Sequence, residues 1–231
     1  MTDNVLLDTA PQVLIALLEA LGLALPFVIL RNYEGLPETW GNDVDILIHP
    51  SDLPAAREIT LGILRRSPHL PAARMMERLN FWSINLPCVD RELQIDFYTA
   101  MSKAWITYAD SEIILAARRQ IHPLFCIPDP LHELLLIAAK ELFAYGRIRS
   151  RYHKRLAGHE AKASLAAALK LFSGRLTEKG CRLVARALID PSVAGWPRPR
   201  FTELLRPEAI LMWTRQRWNN RQQLNNEVGR I

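Results

Sequence analysis

VILRNYEGLPETWGNDVDILI, residues 28–48, is the stretch whose reading decides the fold. An apolar run over residues 27–30, behind Pro26, fits a short buried strand and stops at Arg31. Residues 31–42 contain Gly35, Pro37 and Gly41 and read as a loop. Residues 44–48 form a second strand. Side chains alternate across a strand, so Asp43 and Asp45 share one face while Val44 and Ile46 share the other.

Working outward, Val13, Leu14, Leu17, Leu18 and Leu21 recur at helical spacing and predict a helix over residues 10–22. Downstream, His49-Pro50 ends the acidic strand. Ser51 or Asp52 caps a helix with Pro54 in its first turn, running to about Arg66. Residues 80–86 (NFWSINL) and 92–99 (ELQIDFYT) predict two strands joined through 87–91. In the second, Leu93, Ile95 and Phe97 alternate with Gln94, Asp96 and Tyr98, which puts Asp96 on the polar face. A helix from Asp110 to Arg119 and a short strand over 121–127 follow. From Asp129 the pattern turns helical, with segments near 130–148, 152–173, 177–189 and 207–224 and a linker over 191–199. The expectation is an α+β protein: a mixed-sheet domain over residues 1–128, and a helical domain over 129–231 that packs against it.

Composition narrows the class. The chain has 231 residues, 49% of them hydrophobic and 23% charged, enough for a proper core and too apolar for disorder. Fifteen prolines and ten glycines without a period exclude collagen-like or low-complexity structure. Three dispersed cysteines (Cys88, Cys126, Cys181) exclude a disulfide framework and a cysteine-rich zinc site. With the acidic start MTDNVLLDTA they predict a cytoplasmic protein without a targeting segment. Glu19 and Pro26 interrupt the apolar stretch 12–30, so no membrane span is expected. Charge is uneven. Residues 1–130 carry ten Lys+Arg against sixteen Asp+Glu, a net −6, and residues 131–231 carry nineteen against eight, a net +11. An acidic front suits cations and a basic back suits phosphates, with a solvated arginine-rich helical surface as the plainer reading of the tail.

Three carboxylates carry the chemistry: Asp43, Asp45 and Asp96. A D-x-D pair on one strand and a third acid on another make an oxygen-rich pocket. Magnesium prefers such a site, with its remaining positions left to water and substrate phosphates. Two such ions can clamp an in-line displacement at phosphorus.

The order strand, loop, D-x-D strand, helix and later acidic strand resembles the nucleotidyltransferase superfamily of DNA polymerase β type. VILRNYEGLPETWGNDVDILI matches its spacing and first two acids, and QIDFY its third. The chain also resembles uncharacterised bacterial nucleotidyltransferase-like proteins whose strand ends L-R-x-Y before a proline-containing loop. The resemblance covers roughly residues 10–155. It implies that Asp43, Asp45 and Asp96 are catalytic residues holding Mg2+ or Mn2+. The implied reaction moves a nucleotidyl group from a nucleoside triphosphate to an unidentified hydroxyl or phosphate acceptor. One departure stands out: the family's Gly-Ser turn is replaced by Asn32-Tyr33. Glycine admits phosphate closely and tyrosine does not. Arg31 either takes over the phosphate contact, which its forked guanidinium suits, or pairs with a nearby acid. Tyr33 either packs in the loop or stacks on a base.

A second candidate group is Lys140, Arg147 and Arg151, which share a face if the helix continues through Gly146. Such a face could meet substrate phosphate; otherwise it is a solvated stripe at a helix end. His49, His132, His153 and His159 have no zinc spacing, and no nucleophile elbow, GxGxxG or P-loop occurs. Three functions follow in order. The first is the magnesium-dependent transferase. The second is a non-catalytic nucleotide-binding protein that keeps the fold. The third, not favoured because the tail has no recognition motif, is a nucleic-acid-binding protein.

Overall fold

The computed structural model describes residues 6–103, 106–192, 202–211 and 214. Its helices and strands, in chain order, begin with α1 (Ala10–Ala24), β1 (Phe27–Ile29), β2 (Val44–Ile48) and α2 (Leu53–Leu64). β3 (Arg74–Arg78), β4 (Phe81–Pro87), β5 (Glu92–Tyr98), β6 (Ala100–Lys103) and β7 (Ile106–Asp110) come next. Then follow α3 (Ser111–Ala116), β8 (Arg119–His122), β9 (Phe125–Ile127), α4 (Pro130–Tyr145), α5 (His153–Leu156), α6 (Ala161–Leu171) and α7 (Glu178–Ile189). The chain is α+β. Two compact units divide it: Met1–Ala100 with Ser111–Asp129, and Met101–Asp110 with Pro130–Ile231.

The first unit is built on a five-stranded sheet of order β1-β2-β5-β4-β3. β2 and β5 are parallel, and the other pairs are antiparallel, so the sheet is mixed. Facing residues on paired strands point the same way, and the register therefore sorts the sheet into two surfaces. One carries Phe27, Ile29, Val44, Ile46, Ile48, Trp82, Ile84, Leu86, Leu93, Ile95 and Phe97, all in the buried core with the α1 leucines and Ala56 and Leu64 of α2. Phe125 and Ile127 of β9 join the same core. The other surface carries Asp45, Asp96, Gln94, Tyr98, Ser83 and Asn85. Burying the first surface on helices leaves the second for chemistry.

α1 starts where the leucine spacing predicts, at Thr9, whose N–H donates to Gln12 Oε1 at 3.1 Å, half of a capping box. β3 was not predicted. Its RMMER sequence is exposed at every position and shows no alternation, because an edge strand needs no buried face. The turn into β4 places Asn80 at φ 58°, a conformation asparagine tolerates. The single strand expected over 121–127 is a hairpin of β8 and β9 with an irregular register at Gln120/His122.

The second unit contains the β6-β7 pair, also absent from the sequence reading, with α4 to α7. Tyr108 on β7 is fully buried, stacked on Phe143 at 5.6 Å and edge-on to Phe172 at 6.4 Å. The helix expected over 152–173 is broken into α5 and α6, with Gly158 at φ 87° in the break. Residues 207–211 are helical. The rest of that expected helix apart from Thr214, and residues 193–199 of the expected linker, lie outside the described residues. Among the described residues no helix is long and apolar enough to cross a membrane.

Candidate metal centre

β2 and β5 lie side by side with Asp45 facing Asp96 across the parallel pair, and Ser83 of β4 faces Asp96 from the other side. Asp43, two residues before Asp45, completes the group. One carboxylate oxygen from each of Asp43, Asp45 and Asp96 falls within 4.8 Å of the others. Asp45 is 2% and Asp96 4% exposed, so two of the three acids are taken out of water. Burying carboxylates together costs free energy unless cations or donors compensate.

The compensation is partial. Arg31, the residue after β1 and Leu30, donates from Nε to Asp45 Oδ2 and from Nη2 to Asp43 Oδ2 at 3.3 Å. Burial works against the Arg31 charge, but the hydrogen bond and charge of Asp45, and then the charge of Asp43, outweigh it and hold the guanidinium well above its ordinary range. Asp96 accepts from Ser83 Oγ at 2.6 Å and from Gln94 Nε2 at 3.1 and 3.3 Å. Asp45 Oδ1 is buried and accepts no well-formed hydrogen bond from the described residues. The Tyr98 phenol is driven far above its usual range by burial, then by the charges of Asp45 and Asp96, and least by a hydrogen-bonding contact with Asp45, so it stays protonated.

The loop that delivers Asp43 is fixed at its far end. Arg91 stacks on the Trp40 ring at 4.3 Å and donates to the Gly41 and Trp40 carbonyls at 2.9 and 3.3 Å. Leu36 and Trp40 of the loop enter the core. Asn32, the residue after Arg31, adopts φ 57°. Asparagine there keeps the left-handed backbone that glycine would supply. Tyr33 packs against the core cluster, the first of its two readings.

The predicted basic group is not assembled as expected. Gly146 at φ 72° caps α4, its N–H bonded to Leu142 O at 2.8 Å, so the helix ends at Tyr145. Lys140 lies half-buried on α4, Arg147 is exposed beyond its end, and Arg151 stands over the Tyr152 ring at 4.8 Å. They share no helix face, and all three belong to the second unit. Ser83, Gln94 and Tyr98 were not picked out as site residues, although alternation along ELQIDFY already placed Gln94 and Tyr98 with Asp96. Ser83 needed the strand register, which is set by non-local pairing. His49 makes a local turn, its Nδ1 2.7 Å from Ser51 Oγ.

This donor set fits a hard divalent cation. It offers oxygen ligands only, clusters three carboxylates around the Arg31 guanidinium, and among the described residues leaves the buried Asp45 Oδ1 without a well-formed hydrogen bond.

No protein-family model matches the chain, and no curated protein matches it. It is similar to the crystal structure of a provisionally assigned nucleotidyltransferase from H. pylori, at 14% identity and a TM-score of 0.39, over 93% of this chain and 94% of that one. A likeness that distant carries no weight for function, which must be read from the three carboxylates and their partners.

Proposed function

We propose that the protein transfers a nucleotidyl group from a nucleoside triphosphate to a hydroxyl or phosphate acceptor. Asp43, Asp45 and Asp96 would hold Mg2+ or Mn2+. The observation that carries this is the convergence of three carboxylate oxygens within 4.8 Å, with the buried Asp45 Oδ1 accepting no well-formed hydrogen bond among the described residues. A divalent ion bound there supplies Lewis-acid polarisation of a phosphoryl group and neutralises charge on the departing pyrophosphate. The protein's own part is orientation. Ser83 and Gln94 hold Asp96 so that it can take the proton of an attacking hydroxyl. Asp43, with its side chain 21% exposed, lies on the wetter side of the group, where a substrate would approach.

One observation favours a second reading. Arg31 already pairs with Asp45 and Asp43, which would suit a non-catalytic nucleotide-binding protein that keeps the fold with its acids neutralised. Binding of each of the four common triphosphates, with and without Mg2+, together with pyrophosphate release in the presence of simple alcohols and sugars, separates the two. The transferase reading expects divalent-dependent triphosphate binding and pyrophosphate release, both lost in Asp45→Asn. Binding without release in any combination supports the second reading, and no divalent-dependent binding overturns the first.

A further inference from the structure

Resting on that reading, we propose that Arg31 is an internal cation that holds the carboxylate group until a divalent ion displaces it, and that the displaced guanidinium then engages the donor's phosphates. Metal loading and donor binding would thus be coupled through one side chain.

The geometry leads there in steps. Leu30 N–H donates to Asp45 O at 2.9 Å, which ties the backbone beside Arg31 to β2 and keeps its side chain within reach of the acids. The guanidinium spans Asp45 Oδ2 and Asp43 Oδ2, on two of the three carboxylates a metal would use. It cannot lose its proton to relieve a second cation nearby. A divalent ion on Asp43 and Asp45 would lie a few ångströms from a fixed positive charge, in a site with little water to screen it. Repulsion then favours departure of the more mobile partner. Arg31 has that freedom, because its side chain is 32% exposed while Asp45 is buried at 2%. The turn at Asn32 and the Arg91–Trp40 anchor hold the loop backbone, so the movement is one of rotamers. Asp45 Oδ1 accepts no well-formed hydrogen bond among the described residues and offers the entering ion a first ligand before the arginine leaves. Once free, a planar fork of donors beside the metal is suited to a triphosphate oxygen.

The test is a Mn2+ titration of the full-length protein, read by the EPR signal of free Mn2+, without nucleotide. Arg31→Gln should bind Mn2+ at least tenfold more tightly than the wild type, whereas Arg31→Lys, which keeps the charge, should stay within about threefold. With a nonhydrolysable triphosphate present the order should reverse, and Arg31→Gln should bind the nucleotide at least tenfold more weakly. Should Arg31→Gln not fold, the wild type answers alone: the Arg31 Nε–H signal in 15N NMR, assigned by its loss in Arg31→Lys, should shift or vanish on adding Mg2+. Unchanged or weaker Mn2+ binding by Arg31→Gln, or an Nε–H signal indifferent to Mg2+, would overturn the exchange and leave the metal centre standing. No Mn2+ binding by wild type or variants would remove the metal centre itself, and the exchange with it.

Discussion

Both units bury carboxylates and bring arginines to them, but they do it in different ratios. In the helical unit each buried acid among the described residues has its own arginine. Glu141, 1% exposed, takes a two-pronged contact from Arg149 at 2.5 and 2.6 Å, and Glu133 pairs with Arg155 at 2.5 Å. On the sheet, Asp45 and Asp43 both pair with Arg31, Asp96 accepts from a serine and an amide, and Asp45 Oδ1 accepts no well-formed hydrogen bond among the described residues. A matched pair is complete as it stands. An under-compensated cluster keeps capacity for another cation, at a cost to the metal-free fold. The comparison therefore separates carboxylates that hold structure from carboxylates that await a ligand.

The sharpest way to break this contrast is to neutralise one acid of the cluster. Asp45→Asn should cut turnover by at least about 10³-fold, the scale of losing a main charge-stabilising group, while shifting the melting temperature by only a few degrees. Pyrophosphate release and a thermal melt on the same preparation check both halves. A smaller loss is expected at the supports of Asp96. Ser83→Ala or Gln94→Ala should each lower kcat by about tenfold to a hundredfold, with KM for the triphosphate little changed, since each removes a hydrogen bond to a charged group worth about 1.5–3 kcal/mol. Steady-state kinetics reads the split.

In the helical unit the expectation inverts. Arg149→Ala should lower the melting temperature by several degrees because it strands the buried Glu141, and divalent ions should not restore it. Stabilisation by metal in that variant beyond that of the wild type would erase the distinction between the two regions. The smallest effect tests both units at once. Burial, aided by Asp90 and Asp8, pushes the Cys88 thiol up to about 11, and burial does the same for Cys181. The unfolded chain loses these protons first, near the ordinary value of about 9. Unfolding free energy should then fall as pH rises from about 9 toward 11, and should not change on this account below 9. Urea denaturation against pH, with and without Cys88→Ser, measures it.

Much of the site was legible in the sequence because it is written with period two. Asp43 with Asp45, and Gln94 with Asp96 and Tyr98, sort to their faces by counting alone. That Asp45 and Asp96 come together on adjacent strands was expected from their shared polar faces and the family resemblance, although a parallel pairing across some fifty residues leaves no local trace of its register. Arg31 was open between a phosphate contact and an ion pair, and its partners show the ion pair. β3 escaped because an edge strand exposed on both faces has no pattern to read. The shared basic face failed at Gly146, a residue that is itself a helix-stop signal.

Where a divalent ion sits tests the three-carboxylate centre most directly. Crystals grown with Mn2+ and a nonhydrolysable triphosphate, measured at a wavelength where manganese scatters anomalously, locate the ion without reference to activity. A metal centre at these acids predicts an anomalous peak coordinated by Asp43, Asp45 and Asp96 and by the triphosphate, absent in Asp45→Asn. Bound triphosphate with no peak at these carboxylates, or a peak elsewhere that survives Asp45→Asn, would contradict it.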